Sequence, residues 1–195
     1  MARTQAADYD DRREAIVEIA ARLYGETGFL GSSIADLAKA SGISKSLLYH
    51  YFSSKEDILF EIMIGHVEAL RAAADEVSDL PDSADRLKAL THGFMKLYAN
   101  ASDRHKVLIN DLDKLPVERR SAIIEAERRL LDIVDGIIVD RATTLDKNKG
   151  KRRALTMLYF GMINWTHTWF DPAGEINGDQ LADMVVDLFL KGLPS

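Results

Sequence analysis

The sequence predicts an all-α protein with a small N-terminal three-helix head and a larger helical body. Three observations predict it. Apolar residues recur three and four positions apart through nearly the whole chain, the period of one buried helix face. No segment shows the strict alternation of a half-buried strand. The only prolines are Pro81, Pro116, Pro172 and Pro194, and three of them fall where one helical pattern gives way to the next.

Helices are expected at about 9–27, 34–40, 44–51, 54–79, 83–100, 103–112, 117–145, 150–170 and 177–192. The first carries the stripe Ile16, Ile19, Ala20, Leu23 and Tyr24. The second should start at Ile34, because Ser33 and Asp36 stand three apart as in a capping box, and its inward face is Ile34, Leu37 and Ala38. Gly42 supplies the positive φ of a sharp helix stop, Ser44 caps the third helix, and Ile43 staples onto Leu48. Ser53 and Glu56 read as the capping box of the fourth helix, which continues without a Gly-Pro break and tolerates Gly65. The helix at 117–145 follows Pro116 and is densely charged; the run Asp146 to Arg153 reads as a solvated basic connector. In 150–170, Leu155, Leu158, Tyr159, Met162, Ile163, Thr166 and Trp169 form a stripe, Leu155, Met162, Trp165 and Trp169 spread over more than one face, and 177–192 adds Leu181, Met184, Val185, Leu188 and Phe189. The head is placed at 1–55 and the body at 56–195.

The chain has 195 residues, 25 basic and 31 acidic, for a formal charge of −6, with 47% hydrophobic residues and no cysteine. Disulfides, thiolate metal sites and cysteine nucleophiles are excluded, and no apolar run approaches the ~18 residues of a membrane span. The polar N-terminal stretch lacks the apolar segment of a signal peptide, so a cytoplasmic protein is expected. Of the five histidines, none forms a His-x-x-x-His pair, and neither a glycine-rich phosphate loop nor a Gly-x-Ser-x-Gly elbow occurs. Catalysis is therefore not expected. His167 and Asp171 stand four apart and can share a metal, but with no third ligand evident the expectation is an ordinary hydrogen bond of His167 near a helix end, and no metal.

Two short helices meeting across a tight turn are a helix-turn-helix, whose second helix enters the DNA major groove. Lys45 can donate to guanine or phosphate, Ser44 and Ser46 can contact either, Leu47 can touch a thymine methyl, and Tyr49 and Tyr51 can reach phosphates, with His50 alongside. Lys55 and the free amides of the fourth helix form a phosphate seat. From Arg3 to Glu56 seven bases face eight acids, a net −1, so modest nonspecific affinity and a need for two heads on one DNA follow.

The stretch from about Arg12 to Leu59, with Gly28-Phe29, Gly42-Ile43-Ser44, Leu48-Tyr49-His50-Tyr51-Phe52 and Ser54-Lys55-Glu56, resembles the DNA-binding domain of the TetR family of one-component repressors. The resemblance implies a homodimer of helical subunits that binds a palindromic operator and is released by a small inducer. It implies operator contacts at Ser33, Ser44, Lys45, Ser46, Leu47, Tyr49, His50, Tyr51 and Lys55; Leu47 departs from a frequent hydroxyl residue and Ser46 from a frequent glycine or proline. The body, through Leu112-Asp-Lys-Leu-Pro116, the charged helix after it and Gly161 to Trp169, is similar to members governing fatty-acid and aromatic-acid breakdown, which implies an acyl-coenzyme A inducer.

For the ligand the expected residues are Phe94, Tyr98, Met162, Asn164, Trp165 and Trp169, apolar walls with a few polar anchors. Arg104, Lys106, Arg128 and Arg129 are candidates for coenzyme A phosphates. The helices at 150–170 and 177–192 are expected to pair across a two-fold axis, with a purely intramolecular core as the alternative. Two other readings remain: a drug-responsive repressor of an efflux pump, and a structural helical adaptor without salt-dependent DNA binding.

Overall fold

In the computed structural model of this protein, residues 2–141 and 148–193 are described, with side chains from residue 7 onward. Among them are nine α-helices and no strand. These are α1 (Ala2–Thr27), α2 (Ile34–Ala40), α3 (Lys45–Tyr51), α4 (Lys55–Glu76), α5 (Ser83–Asn100), α6 (Ser102–Asp111), α7 (Val117–Arg141), α8 (Lys149–Asn164) and α9 (Gly178–Gly192). The end of the helix expected over 117–145, the start of the basic connector and Pro194 lie outside the described residues.

Three boundaries among the described residues differ from expectation by more than one residue. α1 begins at Ala2 rather than 9, because its first turns are made of good helix formers that carry no apolar stripe. α4 stops at Glu76 rather than 79: the Ser78 amide and hydroxyl both bond the Asp75 carbonyl, at 3.1 and 2.7 Å, and tighten the chain out of α geometry. α8 ends at Asn164 and continues as a 3-10 turn over Trp165–Thr168 instead of running to 170. There Thr166, His167 and Thr168 each donate from the side chain to the carbonyl three residues back, at 2.6, 2.6 and 2.8 Å, competing with the α ladder.

The chain packs as two compact units. One takes residues up to His66 together with Asp103–Ile124, and the other takes Val67–Ser102 together with the residues from Glu125 onward. α4 and α7 each contribute to both.

In the first unit α1 buries Ile16, Val17, Ala20, Ala21 and Tyr24, α2 buries Leu37 and Ala38, α3 buries Leu48, and α4 buries Ile58, Leu59, Ile62 and Met63. Tyr24 meets Phe29 edge to face, 5.4 Å between centroids. Ion pairs tie the same helices: Arg13 to Glu61 at 2.7 Å, Arg104 of α6 to Glu14 and, at 2.7 Å, to Glu18 of α1, and Arg119 to Asp57. His66 and His105 lie against each other fully buried, ring nitrogens 3.2 Å apart.

In the second unit α5, α7, α8, α9 and the end of α4 share one apolar core. Phe94 stacks with Phe160 at 6.1 Å and Tyr159 meets Phe189 at 5.4 Å. The Tyr159 hydroxyl is not left bare: it bonds Thr91 Oγ1 at 2.9 Å. α9 starts from a capping box between Asn177 and Gln180 and buries Leu181, Ala182, Val185, Val186 and Phe189.

Candidate functional site

The turn between α2 and α3 follows the sequence closely. The Ser33 amide donates to Asp36 Oδ2 at 2.9 Å and the Asp36 amide to Ser33 Oγ at 3.1 Å, closing the expected capping box. Hydrogen bonds from Ser33 hold the Asp36 carboxyl below the usual carboxylate range. Gly42 takes φ +65°, and the Ile43 amide returns to the Ala38 carbonyl at 3.0 Å. Ser44 Oγ accepts the Leu47 amide at 3.1 Å and starts α3. Leu48 and Phe52, 0% and 3% exposed, fasten the helix beneath.

Outward on α3 are Lys45, Ser46, Leu47, Tyr49 and His50, with Ser44 at its start; Ser33 is exposed at the start of α2. The polar members offer an ammonium, hydroxyls, a phenol and an imidazole, all capable of bonds to base edges and phosphates. Leu47, 37% exposed, and half-buried Tyr51 also face α1. They line a shallow apolar groove of about 200 Å³ with Arg12, Ala15, Ile16 and Ile19 of α1 and with Ser41 and Ile43. Tyr51 also stacks on Tyr9, a residue that sequence reasoning passed over.

Lys55 points inward. Its ammonium donates to the carbonyls of Phe29 and, at 2.6 Å, Ser32, and lies 3.9 Å from the Phe29 ring centroid. Burial there pulls its pKa below the ordinary lysine value. The serine that caps α4 is Ser54, whose Oγ accepts the Asp57 amide at 3.0 Å, and not Ser53 with Glu56. Helix register decides between the adjacent serines, since α4 begins at Lys55.

In the body, Phe94 and Tyr98 are buried, Met162 packs against the same core, and the Tyr98 hydroxyl donates to Asn164 Oδ1 at 2.7 Å. Trp165 and Trp169 are not in that group: they are 64% and 59% exposed, Trp165 because it continues the outer face of Leu158 and Gly161, and Trp169 because it lies beyond the 3-10 turn that breaks the α register. Burial drives the Tyr98 phenol well above its ordinary pKa and raises the Glu127 carboxyl as well. Glu127 went unnoticed in the sequence, yet it stands on the stripe of Ile123, Leu130 and Val134, where an apolar residue is the rule.

Of the four cations proposed for phosphates, Arg104 is committed to Glu14 and Glu18, and Lys106 lies 3.6 Å from Asp103. Arg128 and Arg129 are exposed and lie 3.8 and 3.7 Å from Glu125. His167 bonds the Asn164 carbonyl, and among the described residues no group of three or more metal-ligating side chains occurs. No helix among them is long and apolar enough to cross a membrane.

A further face belongs to α8 and α9. Met157, Leu158, Trp165, Met184 and Leu188 are all 48% exposed or more, on two helices whose opposite faces are fully packed.

A family model described as bacterial regulatory proteins, tetR family, matches residues 16–62, and one described as tetracyclin repressor-like, C-terminal domain, matches residues 81–193. Among solved structures, a TetR-family transcriptional regulator from Bordetella parapertussis 12822 is similar at 37% identity and TM-score 0.88, covering 92% of this chain and 94% of that one. The structure of AibR in complex with isovaleryl coenzyme A and operator DNA is similar at 26% identity and TM-score 0.81, over 91% of this chain and 97% of that one. The transcriptional repressor KstR2 of Mycobacterium tuberculosis is 23% identical, with 96% of each chain covered.

Proposed function

The chain belongs to the TetR family of bacterial regulators, DNA-binding proteins that act as dimers with small-molecule effectors, and on that premise we propose how this member divides the work among its residues. It is a ligand-responsive transcriptional repressor. α3 reads the operator in the major groove. The observation that carries this assignment is the outward set Lys45, Ser46, Tyr49 and His50 on a helix capped by Ser44 and fastened by Leu48. Ser33 and Ser44 reach phosphates at two helix starts, and Tyr51 reaches one from the helix end. Lys55 serves by locking the turn at Phe29–Ser32, while the amides at the start of α4 keep the phosphate seat.

The dimer forms through α8, its 3-10 extension and α9. Exposed Leu158, Trp165, Met184 and Leu188 supply the apolar surface that a two-fold four-helix contact buries. The inducer is an acyl-coenzyme A thioester, a reading supported by the likeness to AibR, and its acyl chain replaces core contacts around Phe94, Tyr98, Met162 and Asn164. Ligand binding shifts the population toward a state in which two heads no longer meet two half-sites. α4 and α7, which contribute to both packing units, are the covalent routes for that signal.

The test is a titration in two parts. A thermal-shift panel of short-chain, long-chain and aromatic acyl-coenzyme A thioesters against cationic dyes identifies the ligand class, and stabilisation by dyes alone selects the drug-responsive alternative. Operator-bound protein should then dissociate as the stabilising ligand is added; an unchanged Kd at saturation removes the induction mechanism.

A further inference from the structure

We propose that Tyr9 is a positioning residue for operator recognition: through its ring it fixes His50 and Tyr51 at the end of α3. The inference rests on the reading of α3 as the operator-reading helix and adds a residue far from it in sequence. Tyr9 stacks on Tyr51 with centroids 4.8 Å apart and planes inclined 32°, and it meets His50 edge to face at 6.0 Å and 86°. His50 and Tyr51 complete the triangle at 5.5 Å. The three rings form one cluster with one tilted and two edge-on contacts, the edge-on pairs being an arrangement that aromatic quadrupoles favour.

The need for such a support follows from the size of α3. It has seven residues, too few to hold a helical axis by its own backbone bonds. Its start is fixed by the turn at Gly42 and the Ser44 cap, and its middle by Leu48. Its end has Phe52 beneath, with the Arg13 guanidinium of α1 over that ring at 4.7 Å; the His50 and Tyr51 rings meet Tyr9, and Leu47 and Tyr51 share a shallow groove with Arg12, Ala15, Ile16 and Ile19. Rotation about the axis would swing Tyr49 and His50 away from their DNA partners, and the Tyr9 ring opposes that rotation. α1 reaches back to Ala2, so Tyr9 stands well inside a helix and not on a free arm.

The experiment uses the full chain and a duplex selected from a random DNA pool by the wild-type protein. Tyr9→Ala should weaken binding of that duplex by about five- to tenfold per head, the scale of one aromatic pair, with the thermal midpoint lowered by only about 2–4 °C, so that the protein is fully folded at the temperature of the binding measurement. Tyr9→Phe should bind like wild type, because the ring and not the hydroxyl does the positioning. In a His50→Ala/Tyr51→Ala background Tyr9→Ala should add no further loss. In the free protein three-bond couplings should report one fixed His50 χ1 rotamer in wild type and in Tyr9→Phe, and averaged rotamers in Tyr9→Ala. A rotamer equally fixed in Tyr9→Ala overturns the proposal, as does full affinity in that variant. Equal losses in Tyr9→Phe and Tyr9→Ala, or a loss that persists in the double-variant background, overturn it too, since Tyr9 would then touch DNA itself. Failure of the wild-type chain to select any duplex strikes the operator reading instead, and the His50 rotamer still decides whether Tyr9 holds the end of α3.

Discussion

Lys55 shows how one side chain can serve a recognition surface from beneath. Its ammonium satisfies two carbonyls of the turn between α1 and α2 and rests on the Phe29 ring. Lys55→Met keeps the apolar stem and removes the donor, so the protein should lose about 1.5–3 kcal/mol in urea unfolding, the scale of charged hydrogen bonds. DNA affinity should fall only with the folded fraction. Lys45→Ala should behave oppositely, leaving the unfolding midpoint in place while weakening specific binding and flattening its salt dependence. The two lysines look alike in the sequence. What separates them is which neighbours the fold brings within reach, and Phe29 lies 26 positions from Lys55. The caps at Ser33 and Ser44 were legible because each needs only residues three apart. The triangle of Tyr9, His50 and Tyr51 was not, because nothing local announces it.

At the scale of elements, α4 and α6 meet through a buried histidine pair, and α5 and α9 through an exposed one-histidine clasp. Burial, then His105 and Arg104, depress the His66 pKa to about 3. A depressed histidine is neutral when folded, so its contribution is present above the unfolded value near 6.5 and is lost as pH falls toward 3, at up to about 1.4 kcal/mol per pH unit. His92 has the opposite sign. Against the cost of its burial, hydrogen bonds at 2.9 Å to Asp183 and 3.1 Å to Asp179 raise its pKa. Its contribution is present below the unfolded value and is lost as pH rises through the raised one, and solvent screening keeps it small. Stability measured from pH 8 to 5 should therefore fall, and His92→Ala should make the fall steeper. Helix identities and most of their limits were readable from periodicity and caps. The 3-10 turn at Trp165 was not, because its cause is a run of side-chain bonds to carbonyls with no glycine or proline to mark it.

For the whole molecule, TetR regulators act as dimers, and the dimer face proposed on α8 and α9 can be tested by substitutions that touch neither packed core. Leu188→Asp should turn the dimer into monomers in sedimentation analysis and abolish operator binding, because an isolated carboxylate is costly to bury. Trp165→Ala belongs with it: at 64% exposure its loss should weaken association rather than ligand binding. The chain contains two tryptophans, and both stand exposed after α8, Trp165 at the start of the 3-10 turn and Trp169 just beyond it. Ultraviolet-excited emission at long wavelength therefore arises from this strip and from nowhere else in the protein. Dilution should shift it toward the red as water reaches the indoles, so assembly can be followed optically at low concentration with no attached dye.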